Sequence, residues 1–364
     1  MGFLILPALR ANLRQYARRL ARMMFDRKRI LPIAPPKNIL VIRWDGKLGD
    51  AIVSSFFYRE AGKLKDITVT VITTPELAEF HRDHFGAQRV LISPANPGLA
   101  DLCKLARQLC NIDTVVHLVG RIRARELLFL YLIKPLNVFS HDDDIGWVNG
   151  KMCAATASLA FWEKYAFVLR QLGATDIDGS YRIPDSLPRS VHEGERCPRV
   201  VFNPFASRPD KSLSEVKAIC LLRRIAERVP DWEVSILYRP DTHGDALAMK
   251  HAAACPNIVL AASILTFADA ISAVREASLV ISVDTGFVHI ADGLNKSLVA
   301  ICPQIGHEFN PWLPRSSPHT RIVYCVQDLL TYRRTAKKDM DNFDDEDVVS
   351  AIEAVLATVE MAPG

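Results

Sequence analysis

Residues 38–50 read NILVIRWDGKLGD, and this stretch decides the fold class. Its apolar, β-branched run is closed by a glycine-containing loop, and apolar residues at helical spacing follow over residues 51–64. A short apolar run bounded by turn residues is typical of a buried strand. Strand, loop and helix in this order predict the first unit of a parallel sheet with crossover helices.

The same alternation runs to about residue 118 and begins again at residue 199, which predicts two α/β domains. In the first half, the predicted strands are 38–43, 67–72, 90–92 and 114–118, and the predicted helices are 51–64, 75–85 and 99–110. In the second half, the predicted strands are 199–202, 233–237, 258–260, 279–283 and 297–301, and the predicted helices are 212–228, 245–254, 266–276 and 287–293. Ligands of such sheets bind at the carboxyl ends of the strands.

Changes in composition mark the predicted domain boundaries. Prolines between residues 32 and 36 cannot continue a helix from the N-terminal arm, and residues 173–198 are rich in proline and glycine. The predicted organisation is a basic arm and linker at 1–37, an N-terminal α/β domain at 38–180, a linker at 181–198, a C-terminal α/β domain at 199–335, and an acidic segment with a helix at 336–364.

Length and composition exclude several classes of protein. A chain of 364 residues fits two domains at about 150 residues each. Its 49% hydrophobic and 24% charged residues are ordinary for a folded globular protein, and a net charge of +4 is too small to indicate nucleic-acid binding by the whole chain. The eight cysteines include no C-x-x-C pair, which favours reduced thiols and a cytoplasmic location.

The positive charge is concentrated in the N-terminal arm. Residues 1–30 carry eight basic residues against Asp26 alone, so the arm has a charge of +7 and the remaining chain −3. One face of a predicted helix is apolar, and its members are Leu9, Leu13, Tyr16, Leu20 and Met23. Two interpretations stay open: a basic amphipathic helix that lies on anionic lipid, or a helix docked on the protein's own surface with a solvated basic face.

Three loops at predicted strand ends carry polar side chains and open helices. They are DGKLGD at 45–50, NPFASRPDK at 203–211 and SVDTGFVH at 282–289. The first matches neither the dinucleotide fingerprint nor the P-loop, although a glycine loop that opens a helix offers free amides to an anion. Helix capping, by Asp50 in the first loop and by serine or threonine in the others, is the alternative explanation of these residues.

Taken together and in order, these segments resemble glycosyltransferase family 9, the ADP-heptose:lipopolysaccharide heptosyltransferases. The resemblance is carried by residues 39–50, which look like the family's opening strand and Gly-Asp loop, by 202–211, which look like its phosphate loop, and by 277–291, which look like its Asp-Thr-Gly-x-x-His segment. It extends over roughly residues 38–330.

The resemblance implies a GT-B fold, in which two Rossmann-like domains face a cleft, and an inverting sugar transfer that needs neither metal nor cofactor. It implies that the N-terminal domain binds a lipopolysaccharide-core acceptor and the C-terminal domain binds ADP-heptose. By position in the motifs, Asp50 is the candidate general base. The implied donor-site residues are Ser207, Lys211, Asp284, Thr285, Gly286 and His289, and those of the acceptor-side loop are Asp45, Lys47 and Gly49.

The chain departs from the family pattern in two places. Asp45 and Lys47 stand where small residues are common, which adds charge near the acceptor. The family's Gly-x-x-x-Glu-like ribose segment is replaced by YRPDTHGD at 238–245, where Asp241 or Asp245 would have to substitute. A UDP-linked donor for another cell-surface glycan therefore stays open.

Two further alternatives concern the class of protein. Asp142–Asp144 would serve a metal-dependent transferase, and a catalytically idle sugar-nucleotide-binding protein would keep the fold without turnover. For the enzyme, a lipid-linked acceptor and the basic arm predict a cytoplasmic location with peripheral contact between residues 1–30 and the anionic inner face of the inner membrane.

Overall fold

The computed structural model describes residues 5–27, 32–109, 111–184 and 197–360, with the backbone alone at 5–11, 359 and 360. The chain forms two compact units. The first comprises residues 1–47 and 54–180, and the second comprises residues 48–53 and 181–364. Most of the predicted linker at 181–198 lies outside the described residues.

The first unit is built on a six-stranded parallel sheet. Its strands are β1 (Asn38–Arg43), β2 (Thr68–Thr73), β3 (Arg89–Ile92), β4 (Thr114–Val116), β5 (Asn137–Ser140) and β6 (Gly150–Lys151). Their spatial order is β3-β2-β1-β4-β5-β6, so the order reverses between β1 and β4. Val41 of β1 pairs with Val71 of β2 and Val116 of β4, and these three side chains are buried. This order is that of a Rossmann sheet, as predicted.

Helices cover both faces of this sheet. They are α1 (Ile5–Phe25), α3 (Ser55–Ala61), α4 (Pro75–Glu79), α5 (Leu99–Gln108), α6 (Ala124–Ile133) and α7 (Phe161–Gln171), while α2 (Leu48–Val53) belongs to the second unit. The helix predicted over 51–64 is thus two helices separated at Ser54, and the one predicted over 75–85 ends in a π-helical turn at Phe80–His84.

Sequence reasoning missed four elements of the first unit: β5, β6, α6 and α7. Strands β5 and β6 have four and two residues, too few for a periodic pattern. The ten residues of α6, ARELLFLYLI, are apolar on nearly every side, because α6 has core residues beneath it and α1 packed beside it. A helix that contacts protein on several sides has no amphipathic period to detect.

The second unit repeats the architecture. Its strands are β7 (Arg199–Asn203), β8 (Glu233–Ile236), β9 (Ile258–Leu260), β10 (Leu279–Val283), β11 (Ser297–Ile305) and β12 (Thr320–Gln327). The parallel order β12-β11-β10-β7-β8-β9 equals that of the first sheet when counted from β7. Phe202 of β7 pairs with Ile281 of β10 and Ile236 of β8, in the centre of the core.

The helices of the second unit lie against this sheet. They are α8 (Glu215–Arg228), α9 (His243–Ala253), α10 (Phe267–Glu276), α11 (Gly286–Gly293), α12 (Leu329–Thr335) and α13 (Asp345–Glu360). Ser214 and Thr266 cap α8 and α10 through their hydroxyl oxygens. Helix α13, in the predicted acidic C-terminal segment, buries Val348, Ile352 and Val355 in the core.

The predicted helix of the basic arm is present as α1, and it is docked on the first unit beside α6. Its apolar residues Leu13, Tyr16, Leu20 and Met23 are exposed, so the docked face is a different one. The side chain of Leu9 lies outside the described part. No described helix is long and apolar enough to cross a bilayer.

Candidate functional site

The polar residues of the second unit gather where its strand order reverses, between β7 and β10. The loop at 203–211 follows β7, and the loop at 284–286 follows β10. The Asn203 side-chain amide joins them, because its Nδ2 donates to Ser282 Oγ at 3.0 Å and to Thr285 Oγ1 at 3.1 Å. Crevices at such reversal points are where open α/β sheets bind ligands.

Two ammonium groups face one carboxylate in this crevice. Lys211 Nζ lies 3.0 Å from Asp284 Oδ2, and Lys338 Nζ lies 4.0 Å from the same oxygen. Burial, and then the charge of Lys211, lowers the pKa of Lys338. The neighbouring Arg208 and Asp210 form their own bidentate pair. The group therefore carries one uncompensated positive charge, which suits an anionic ligand such as a diphosphate.

Lys338 was missed by sequence reasoning. It lies after α12, more than fifty residues beyond Asp284, and no motif surrounds it. The predicted Ser207 is exposed in the loop after β7. The capping serine of that region is Ser214, so Ser207 is not a helix cap.

Helix α11 begins at this crevice with Gly286. Thr285 occupies the N-cap position, but its hydroxyl bonds to Asn203 and contacts Ser282 instead of capping the helix. The first backbone N–H groups of a helix lack intrahelical acceptors and carry partial positive charge. They add to the positive potential set by the two lysines.

His289, one turn into α11, is buried. Its ring lies between those of Tyr181 and Trp312, with centroid distances of 6.5 and 6.3 Å. Burial lowers the pKa of His289, against the opposing effect of Asp284 and Asp292. The imidazole is therefore neutral at pH 7 and can share a proton without adding a charge.

Helix α2, which carries Asp50, packs against the start of α11 through two glycines. A Cβ atom at Gly49 would lie 2.9 Å from the Gly286 Cα and 3.2 Å from His289 Cδ2, and one at Gly286 would lie 3.3 Å from the Gly49 nitrogen. Asp50 itself is half-buried in the first turn of α2, two residues after the helix begins at Leu48. The N-cap interpretation of Asp50 is therefore wrong. The two glycines let the backbones of α2 and α11 approach closely, which brings Asp50 beside the Asp-Thr-Gly segment.

The rest of the predicted acceptor-side loop belongs to the first unit. Asp45 is paired with the buried Arg43 at 3.2 Å, and Lys47 is exposed. Gly46 adopts a φ of +64°, in the left-handed region that glycine enters without strain.

Sequence reasoning missed a cluster under this loop, at the reversal point of the first sheet. Trp44 follows β1, and the Arg125 guanidinium lies 5.8 Å from the centroid of its ring system. His117 follows β4, and its Nε2 lies 3.4 Å from Glu126 Oε2. Burial raises the pKa of Glu126, but the nearby His117 and a hydrogen bond from the Arg123 backbone N–H outweigh it, so the pKa is lowered.

The alternative residues have other roles in the structure. Asp142 accepts hydrogen bonds from Arg18 and from the Ile122 backbone, and Asp143 accepts from the Met152 backbone. Among the described residues, no group of three or more His, Cys, Asp or Glu is placed to hold a metal ion. Asp241 is exposed and paired with Arg239, while Asp245 is exposed in the first turn of α9.

Comparison with known proteins bears on the family and on the fold. The model of the family described as glycosyltransferase family 9 (heptosyltransferase) matches residues 103–327. No curated protein matches the chain significantly.

Among solved structures, a family 9 glycosyltransferase from Veillonella parvula is similar, with a TM-score of 0.72 at 14% identity over 90% of this chain and 99% of that one. Two Escherichia coli structures are also similar. Heptosyltransferase WaaC with ADP has a TM-score of 0.60 at 15% identity, over 87% of this chain and 99% of its own. ADP-heptose lipopolysaccharide heptosyltransferase II has a TM-score of 0.63 at 16% identity, over 89% and 99%. At these identities the likeness shows the fold, which is the GT-B architecture of two Rossmann-like domains.

Proposed function

Since the chain belongs to glycosyltransferase family 9, we propose that it transfers heptose from ADP-heptose to an inner-core lipopolysaccharide acceptor, with inversion and without a metal ion. The observation that carries the proposal is the group formed by Lys211, Lys338 and Asp284 in front of α11. The bound ADP of the similar E. coli WaaC structure supports an adenine nucleotide as donor.

The chemistry requires such a group. As the sugar leaves, positive charge develops on its ring and negative charge grows on the departing diphosphate. Lys211, Lys338 and the first N–H groups of α11 stabilise that negative charge from fixed positions, so little reorganisation is needed during the reaction. Thr285, Gly286 and His289 complete the donor site. Ser207 binds a phosphate from the flanking loop.

Asp50 acts as the general base. It removes the proton of the acceptor hydroxyl while that oxygen attacks the anomeric carbon from the side opposite the diphosphate, which inverts the configuration. A positioned carboxylate of this kind contributes about 10²- to 10⁴-fold to rate. The packing of α2 on α11 supports this role, because it holds Asp50 beside the donor segment.

The acceptor is bound through the loop that contains Asp45, Lys47 and Gly49. Lipopolysaccharide cores are anionic and lipid-linked, so the exposed Lys47 supplies a favourable charge. An acceptor anchored in a bilayer places the enzyme at the cytoplasmic face of the inner membrane. The basic arm at residues 1–30 is the part of the chain that contacts that surface.

Calorimetric titration with ADP, UDP, GDP and CDP, with and without EDTA, tests the proposal. We expect selective binding of ADP that EDTA does not change. Selective binding of UDP would replace the donor while keeping the fold and site. Binding without transfer to any lipopolysaccharide acceptor would indicate the idle binding protein, and the absence of nucleotide binding would overturn the donor site.

A further inference from the structure

Two arginines attach α1 to the first unit. Arg18 donates from Nε to the Ile122 carbonyl at 2.9 Å and from Nη2 to Asp142 Oδ2 at 2.7 Å. Arg22 donates to the Asp144 carbonyl at 2.8 Å. The Arg18 side chain is largely buried, and so is that of Asp142. The attachment is therefore specific, and part of the arm's positive charge serves to form it.

Aromatic contacts hold the end of the same helix. Trp147 donates from Nε1 to the Phe25 carbonyl at 2.7 Å, and the Phe25 ring lies 5.4 Å from that of Tyr131. Ala21 is 5% exposed at the centre of the contact. The docked face consists of Arg18, Ala21, Arg22 and Phe25, at the i, i+3, i+4 and i+7 spacing of one helix face.

The opposite face of α1 is apolar and exposed. The exposed fractions are 61% for Leu13, 67% for Tyr16, 51% for Leu20, 83% for Met23 and 66% for Met24. At 100° per residue, this apolar stripe is centred roughly 160° around the helix from the docked face. A surface helix ordinarily turns its apolar face towards the core, and α1 does the reverse.

Charge identifies what covers the stripe. Arg14 and Arg19 are exposed on α1 outside the stripe, and the helix has no acidic residue before its end at Phe25. The arm has a charge of +7, so pairing with a second copy would bring two strongly positive segments together. An apolar stripe on a helix whose charged residues are all arginines fits a surface that is apolar inside and anionic outside, which is that of a bilayer with acidic phospholipids.

We propose that the stripe of Leu13, Tyr16, Leu20, Met23 and Met24 inserts into an anionic bilayer while the docked face stays on the first unit. On this proposal a single helix is docked on the first unit and bound to lipid at once. The helix acts as a fixed anchor that sets one orientation of the first unit on the membrane. This inference rests on the proposed function only in assigning that unit a lipid-linked acceptor.

Flotation of the full-length protein with vesicles tests the inference. We expect binding to vesicles of phosphatidylglycerol and phosphatidylcholine, weak binding to phosphatidylcholine alone, and a decrease as salt screens the arginines. The variant Leu13→Gln/Leu20→Gln/Met23→Gln should bind at least a hundredfold more weakly, since each inserted side chain contributes about tenfold. The matched control Val216→Gln/Leu330→Gln changes exposed apolar residues of the second unit and should bind like the wild type.

A triple variant that still binds as tightly as the wild type would overturn the inference. Sedimentation equilibrium tests the other possible occupant, a second copy of the chain. If the wild type forms a dimer and does not bind vesicles, while the triple variant is monomeric, the stripe is a dimer contact. Circular dichroism melting of both variants reports whether they fold. The ADP affinity of the same samples distinguishes failure of this inference from failure of the proposed function. The triple variant should bind ADP as the wild type does. If the wild type itself does not bind ADP, only the proposed function is overturned.

Discussion

The two sheets of this protein have the same strand order but different chemistry at the point where that order reverses. In the second unit, the reversal point carries Lys211 and Lys338 beside a helix N-terminus that begins with glycine. In the first unit, it carries Trp44, and the buried pair of His117 and Glu126. The topology therefore determines where a ligand binds, while the side chains at the strand ends determine which ligand binds there.

The difference follows from what each unit has to bind in the proposed reaction. A nucleoside diphosphate has a compact charge, which ammonium groups and backbone N–H groups match. An oligosaccharide is larger and presents many hydroxyls, which the exposed charged side chains of Asp45 and Lys47 suit better.

Replacement of the candidate base should have the largest effect. Asp50→Asn keeps the shape of the side chain but removes its proton-accepting charge, so we expect kcat to fall about 10³-fold. ADP affinity should stay within twofold, because the change leaves the lysines in place. Steady-state transfer assays and calorimetry on one preparation measure both quantities. Full activity of Asp50→Asn would show that another group takes the proton.

A methyl group at the glycine contact should have the next largest effect. Gly49→Ala places a Cβ 2.9 Å from the Gly286 Cα, so α2 has to move away from α11 and carry Asp50 with it. We expect kcat to fall about 10²-fold, since a displacement near 1 Å at a reacting group is that costly. The free energy of unfolding should fall by about 1–3 kcal/mol.

Gly244→Ala is the matched control for the glycine contact. A Cβ at Gly244, in the first turn of α9, has no atom within 4 Å, so both activity and stability should be unchanged. Loss of activity in Gly49→Ala with an equal loss of ADP affinity would mean that the contact shapes the donor site and does not position the base.

Removal of either lysine should weaken donor binding more moderately. Lys211→Ala and Lys338→Ala each delete one ammonium group facing the diphosphate, and we expect ADP affinity to fall about tenfold in each. The exposed Lys104 of α5 supplies the control Lys104→Ala, which should bind ADP like the wild type. Unchanged affinity in Lys338→Ala would restrict the phosphate contacts to the residues of the sequence motif.

The pH dependence sharpens the distinction between the two lysines. Because burial and Lys211 lower the pKa of Lys338, its positive charge is lost at a lower pH than that of an ordinary lysine. ADP affinity of the wild type should therefore decline on the alkaline side. In Lys338→Ala, the decline should begin at a higher pH, because the ammonium group that loses its charge first is absent. Calorimetry at several pH values measures the ADP affinity of both proteins.

The sequence predicted most strands of the two sheets, and the loops that follow β7 and β10, because both depend on local signals. Apolar runs such as 279–283 mark buried strands, and the Asp-Thr-Gly segment lies where its strand ends. Lys338 could not be found in this way, because it becomes relevant only through its approach to Asp284, which is distant in sequence. The arm shows a third case, in which the apolar period was correct but did not reveal which face is docked.

The smallest expected effect concerns a histidine in the first unit that has no assigned role in the reaction. His81 is buried between the rings of Tyr58 and Phe85, and burial, with a further contribution from Arg43, lowers its pKa to about 3. The folded protein keeps His81 neutral, whereas the unfolded chain protonates it below about pH 6.5. The unfolded state thus binds more protons, and stability should decrease as the pH falls from about 6.5 towards 3.

His81→Phe removes this titration while keeping a ring in the same aromatic contacts. Between about pH 6 and pH 4, the free energy of unfolding of the variant should depend less steeply on pH, by up to about 1.4 kcal/mol per pH unit. Urea unfolding of both proteins at several pH values measures the slopes. An equal slope in the variant would mean that His81 takes up a proton in the folded protein as readily as in the unfolded chain.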